Sequence, residues 1–213
     1  MELYKTIREE ASETHIIEKS RFIAHAAPVE SRDEAEAFIA EIKAKYKEAT
    51  HNVPAMVLGD KMQIQWASDD GEPQGTSGAP IVRMIVGEEL TNIVIVVTRY
   101  FGGIKLGTGG LVRAYTSSAK LAIEAAGICS VQEVCSMKIL IEYTYLERFR
   151  QMAAGCIGDS GEGFVIADIE YGEKVSMRLV TPVEHKEKLR GIAANLTAGS
   201  AEIVSCERTV EKV

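Results

Sequence analysis

The five consecutive residues Ile93 to Val97 are all β-branched and do not alternate with polar side chains. A strand wetted on one side alternates, so a run of this kind needs apolar cover on both faces. It fixes a central strand. The chain then passes through TRYFGGIKLGTGG into Leu111, Ala114, Tyr115, Ser118, Ala119, Ala122, Ile123 and Ala126, which keep the 3.6-residue period until Gly127 stops it. A covered strand therefore delivers a glycine-rich loop onto the N-terminus of a long helix.

Other elements assemble around that unit. Ile16, Ile17, Phe22, Ile23, Ala24 and Ala26 read as one or two early strands. Ser31 and Glu34 form a capping box for an amphipathic helix over about residues 32–48, with Ala35, Phe38, Ile39, Ile42 and Tyr46 on one face. Val57, Leu58, the Gly59-Asp60 pair, and Met62, Ile64 and Trp66 alternating with Gln63 and Gln65 predict a hairpin with one wet face. Residues 68–78 lack apolar periodicity and read as a loop, followed by a short helix over about 80–87. From about residue 135 the pattern restarts as strand (137–143), helix, two strands (164–169 and 175–180), helix and strand (201–208). Thr144 with Glu147, and Thr181 with Glu184, are capping boxes, the second with Pro182 at the first helical position. Gly172-Glu173 reads as a two-residue hairpin turn. This βαββαβ order is that of a ferredoxin-like domain. The expectation is an α+β protein of two domains, 1–133 and 134–213, which the 213-residue length accommodates.

Thirty-one acidic against 24 basic residues give a net charge of −7, so the molecule as a whole repels nucleic acid and anionic membranes at long range. No apolar stretch approaches the roughly 20 residues that span a bilayer, and no membrane partner is expected. The first residues mix both charge signs without the apolar centre of a secretory signal. A cytoplasmic protein is expected. Cys129, Cys135, Cys156 and Cys206 form no C-x-x-C, and His15, His25, His51 and His185 lie at no zinc-binding interval from them. Reduced, mostly buried thiols are expected, with no metal site and no cofactor.

The acidity reverses locally. No acidic residue stands between Glu89 and Glu124, whereas Arg99, Lys105, Arg113 and Lys120 are basic. Glycines let backbone N–H groups approach a ligand closely, and a helix start adds unpaired N–H groups and the positive end of its dipole. An oxyanion or a nucleic-acid phosphate is the natural guest. The binding set read from this segment is Arg99, Tyr100, Gly102, Gly103, Lys105, Gly107, Thr108, Gly109, Gly110 and Arg113. The plainer alternative is that the glycines serve a tight crossover and the basic side chains are merely solvated. Neither a Walker loop nor the dinucleotide fingerprint fits, the latter because Val112 stands where Gly or Ala is needed.

A second candidate is Ser68-Asp69-Asp70-Gly71-Glu72-Pro73-Gln74-Gly75-Thr76-Ser77-Gly78. Its carboxylates suit a hard cation, a general base, or pairing with Arg99 and Lys105. The calcium-loop frame is absent, so pairing is favoured over metal. His51, at the junction of the first helix and the hairpin, suits an acid/base or hydrogen-bonding role, or a structural one. The candidate catalytic residues are His51, Asp69 and Asp70. No serine stands in G-x-S-x-G.

Ala49-Thr50-His51-Asn52, SDDGEPQGTSGAPI from Ser68 and LTNIVIVVTRYFGGIKLGTGGLVRAYTSSA from Leu90 together closely resemble the IMPACT family and its bacterial, YigZ-like members. The likeness covers roughly residues 1–130, and the remainder resembles the C-terminal domain usual in bacterial members. Val53-Pro54 departs from the family's frequent Cys-aromatic pair, so no cysteine role transfers there. The resemblance implies an N-terminal β-α sandwich like that of a small-subunit ribosomal protein and of domain IV of elongation factor G. It also implies a C-terminal domain like that factor's domain V. Eukaryotic relatives regulate translation initiation under amino-acid stress, while bacterial relatives have no assigned reaction.

Two functions are therefore expected to compete. The first is a translation-associated regulatory or binding protein that docks on RNA, the ribosome or a translation-related protein through the glycine-rich basic loop. The second is an enzyme acting on a small phosphorylated or carboxylated metabolite between the two loops, with His51 as acid and Asp69 or Asp70 as base. A protein-interaction adaptor that uses the ferredoxin-like sheet is a third, plainer option.

Overall fold

The structure, a computed structural model, describes residues 2–155 and 163–212. It is an α+β fold with two antiparallel sheets and five helices among the described residues. The chain groups into two compact units, 3–130 and 131–213, the latter with the first two residues.

The first unit contains β1 (Glu2–Ile7) except its first residue, β2 (Ala11–Ile17), β3 (Ser20–Pro28), α1 (Arg32–Lys45), β4 (His51–Leu58), β5 (Ile64–Ala67), α2 (Gly78–Gly87), β6 (Ile93–Tyr100) and α3 (Gly107–Ala126). Its sheet runs β2-β3-β6-β4-β5, which places β6 at the centre. Ile93, Ile95 and Val97 pack with Ile81 and Ile85 of α2 and with Ala114, Tyr115, Ala119 and Ala122 of α3. Val94 and Val96 pack on the opposite face with Ala35, Ile39 and Ile42 of α1. Two-sided burial is the physical reason the run lacks alternation. β1 carries no clear pattern and escapes sequence reading; Thr91 N–H donates to the Lys5 carbonyl at 2.9 Å. At the start of α1, Ser31 Oγ accepts from Glu34 N–H at 3.2 Å. The reciprocal bond of the capping box comes from Glu30 N–H to Glu34 Oε2 at 2.8 Å, not from Ser31.

The second unit follows the order β7 (Ile128–Ile141), α4 (Tyr143–Gly155), β8 (Val165–Tyr171), β9 (Val175–Pro182), α5 (Lys186–Leu196) and β10 (Glu202–Lys212). β7 pairs with β10 on one side and β9 on the other, and β8 pairs with β9, all antiparallel. Met137, Ile139 and Ile141 alternate into a core with Met177 and Leu179 of β9, Phe149 of α4 and Leu189 of α5. Four local expectations change. Thr144 is no helix cap, since α4 already includes Tyr143. β7 begins at Ile128, well before Met137, because its partner β10 is long enough to pair from Val131 onward. Thr181 is no helix cap: it stays in β9 opposite Cys135, and its hydroxyl donates to the Gly163 carbonyl at 2.9 Å. A 3-10 turn (Val183–His185) intervenes before α5. The β8–β9 connection is Gly172-Glu173-Lys174, a residue longer than expected.

Cys129 and Cys135 are buried free thiols and Cys206 is a half-buried one. The sulfurs of Cys135 and Cys206 lie 3.2 Å apart, and burial, then contact with Cys206, pushes the Cys135 thiol up to about 11. Cys156 lies outside the described residues. No described helix is long and apolar enough to cross a membrane.

Candidate functional site

β4 and β6 pair so that His51 stands opposite Arg99. The loop after β5 then folds over that pair, and its three carboxylates take three different jobs. Asp69 turns toward its own loop: Oδ1 accepts from Ser77 Oγ at 2.7 Å and from Gly78 N–H at 2.9 Å, and Oδ2 accepts from Gly75 N–H at 2.7 Å. Ser77 makes no capping bond of its own, so Asp69 supplies the acceptor at the start of α2. Burial raises the Asp69 pKa, but the Ser77 hydroxyl and the loop amides outweigh it and hold the carboxyl below its ordinary value. Asp70 accepts from Asn52 N–H at 2.6 Å and from Lys43 Nζ at 2.8 Å. It ties the loop to β4 and α1.

Glu72 alone enters the interior. Arg99 Nη1 and Tyr115 Oη both donate to its Oε1, at 2.6 and 2.7 Å, while its Oε2 lies 3.8 Å from His51 Nε2. Arg99 and Glu72 are both nearly buried, and such a pair needs good geometry and further hydrogen bonds to offset desolvation. Tyr115 supplies one of them. Burial, then the bond to Glu72 and its charge, pushes the Tyr115 phenol far above its ordinary value, so it remains a donor. The Arg99 guanidinium lies between the rings of Phe22 and Phe101, 5.3 and 5.4 Å from their centroids. His51 Nδ1 lies 2.8 Å from the Asp70 carbonyl oxygen. A carbonyl only accepts, so Nδ1 carries the proton.

The acidic and glycine-rich loops thus meet, but through Glu72. Asp69 and Asp70 do not pair with Arg99 or Lys105, which corrects their candidacy as bases facing the glycine loop. Arg99 is likewise corrected: at 5% exposure and paired with Glu72, it is no surface phosphate contact. Tyr100 stacks under the Arg21 guanidinium, 4.4 Å from its ring centroid. The Gly102 N–H is already donated to Ser20 Oγ at 3.1 Å, and a Cβ there would meet the Lys19 carbonyl at about 2 Å. Gly102 is a glycine because two backbones touch, not because a ligand does. Gly103 and Gly107 adopt φ of +88° and +70°, which carry the loop into α3.

Two cavities border the start of α3. The larger, about 760 Å³, is an open groove along the helix whose lining includes Lys105, Gly110, Arg113, Ser117 and Lys120, with Glu18 on the other side. Lys120 is held by Glu88 at 2.8 Å. The side chains of Lys105 and Arg113 have no hydrogen bond or ion pair among the described residues. The smaller, about 470 Å³, lies between the two loops and includes His51, Glu72, Arg99, Phe101, Gly107 and Thr108. Gly109 borders neither. Sequence reading missed Tyr115, whose i, i+4 spacing from Leu111 marks it only as a core residue. It also missed the role of Ser20, for which no signal existed.

The family model described as the Impact N-terminal domain matches residues 18–123, a span that takes in both loops. The Bacillus subtilis (strain 168) protein called IMPACT family member YvyE is 38% identical over 208 residues, covering 97% of this chain and 92% of that protein. IMPACT family member YigZ of Escherichia coli (strain K12) is 32% identical over 193 residues, 90% of this chain and 92% of its own. A crystal structure described as that of a hypothetical protein matches 97% of this chain and 98% of its own, with a TM-score of 0.58 at 30% identity.

Proposed function

The chain belongs to the IMPACT family, and from that premise we propose that it is a cytoplasmic, translation-associated regulatory protein that docks on RNA or a ribonucleoprotein along the α3 groove. The observation that carries this reading is the pair Lys105 and Arg113. They are exposed cations whose side chains have no partner among the described residues, and both line one groove, inside the stretch of a net-acidic chain that excludes acidic residues. Holding two cations unpaired beside a helix N-terminus favours an anionic partner. Lys120 adds a third, partly neutralised charge at the far end. The same reading takes the β10-β7-β9-β8 order of the second unit as ferredoxin-like, akin to domain V of elongation factor G. It takes the first unit as the related β-α sandwich.

The test is a titration of fluorescent single-stranded RNA, with ribosome co-sedimentation in parallel, using wild type and the Lys105→Ala plus Arg113→Ala variant. A loss of affinity of tenfold or more is expected in the variant. Equal binding by the two proteins, or binding by neither, sinks the assignment.

A further inference from the structure

We propose that the smaller cavity is a binding site for a small phosphomonoester with a flat apolar body, its phosphate seated at the N-terminus of α3.

Four observations converge there. First, α3 begins without a side-chain cap and without an acidic residue in its first turn, so its leading amides lack a side-chain acceptor. Second, Lys105, an unpartnered cation, lines the same cavity. Third, Arg99 borders the cavity while 5% exposed, and its buried Nε has no hydrogen-bond partner among the described residues. Fourth, the cavity wall holds two acceptors face to face. In the tautomer with its proton on Nδ1, His51 presents a lone pair at Nε2, and Glu72 Oε2 lies 3.8 Å away. A donor placed between them, such as a hydroxyl carried by the ligand, meets both. A phosphomonoester supplies that hydroxyl in its singly protonated form, because its second ionisation lies near neutrality. The Glu72 charge does not bar an anion, since Arg99 neutralises it at 2.6 Å.

The class of ligand follows from the rest of the wall. Three phosphate oxygens can meet helix-end amides, Lys105 and His51 together, which a carboxylate cannot do. The same lining includes Pro73, Leu111 and the half-exposed Phe101, apolar surface suited to a flat group. The volume of about 470 Å³ falls within the range of small-molecule sites.

Phenyl phosphate and inorganic phosphate are the probes, titrated by calorimetry and by the NMR resonances of the His51 imidazole. The test variant is Thr108→Glu, which puts a carboxylate in the first turn of α3, where it favours the helix while repelling an anion. Saturable binding of phenyl phosphate that shifts the His51 resonances is expected. It should be at least fivefold tighter than inorganic phosphate and at least tenfold weaker in Thr108→Glu, whose melting temperature does not fall. The proposal is overturned by absence of saturable binding at millimolar phenyl phosphate, by equal affinity for the two probes, or by equal binding to the variant. Arg113→Ala plus Lys120→Ala lies outside this cavity and leaves phenyl phosphate binding unchanged, so its RNA affinity reports on the groove alone.

Discussion

Glu72 concentrates two short hydrogen bonds on one oxygen and leaves the other facing a histidine ring, whereas Asp69 spends both oxygens on its own loop. Nothing in the order Asp69-Asp70-Gly71-Glu72 announces that division of labour. It is decided by the turn, where Asp70 at φ +47° and Gly71 at φ +87° swing the chain so that only the last carboxylate points inward. The three residues were legible as a group and opaque as individuals. His25 shows the same limit: its sequence neighbours give no sign that it lies against the Tyr46 ring, 5.0 Å between centroids, with a buried Nε2 that has no hydrogen-bond partner among the described residues. Burial, and secondarily the Lys45 charge, lower its pKa from 6.5 to about 4. Between those two values the unfolded chain takes up a proton that the folded chain refuses. Stability therefore falls as pH drops through this window, by up to about 1.4 kcal/mol per pH unit. Urea unfolding of wild type and His25→Gln between pH 7.5 and 4 checks this. The variant should lose stability less steeply on acidification, and parallel profiles would remove His25 as the cause.

The strand β6, the glycine loop and helix α3 form the element that sequence reading recovered best, because each has a strong physical signature: unbroken β-branching, dense glycine, and a long 3.6-residue period. What stayed hidden is which glycines are obligatory. At Gly102 a Cβ would lie within 2.0–2.4 Å of the Lys19 and Ser20 backbone, whereas at Gly109 the nearest atom is an Arg113 side-chain nitrogen at 3.7 Å. Alanine at the first should therefore cost about 1–3 kcal/mol through overpacking. At the second it should stabilise by about 0.5–1 kcal/mol, since Gly109 lies inside a helix and needs no special backbone angle. Opposite shifts in thermal midpoint are the expected readout, and a harmless Gly102→Ala would mean that the loop rests elsewhere. Thr181 marks the converse failure. Its capping-box pattern with Glu184 is intact in sequence, but β7 recruits the residue into a sheet first, a tertiary pairing that local signals do not report.

For the whole molecule, the net charge of −7 and the groove on α3 act at different ranges. If RNA docks as proposed, long-range repulsion slows its approach and only the few cations of the groove hold it once it arrives. RNA affinity should therefore fall with salt along a shallow line, with a slope of log K against log salt between about −1.4 and −2 for two or three single-strand phosphates. A slope steeper than about −4 would place the contact on some other face. Composition described the body of this protein and concealed the candidate site, because 34 residues' worth of missing acid between Glu89 and Glu124 barely alters a total taken over 213. The ion pair joining Arg99 to Glu72 has one more consequence, for descent. Losing one member of a buried pair costs about 3–5 kcal/mol, a large part of the roughly 5–15 kcal/mol that keeps a domain folded. A change at either position alone should therefore cripple folding, and replacing the pair one residue at a time must pass through that crippled intermediate, so two residues 27 positions apart are expected to change only together.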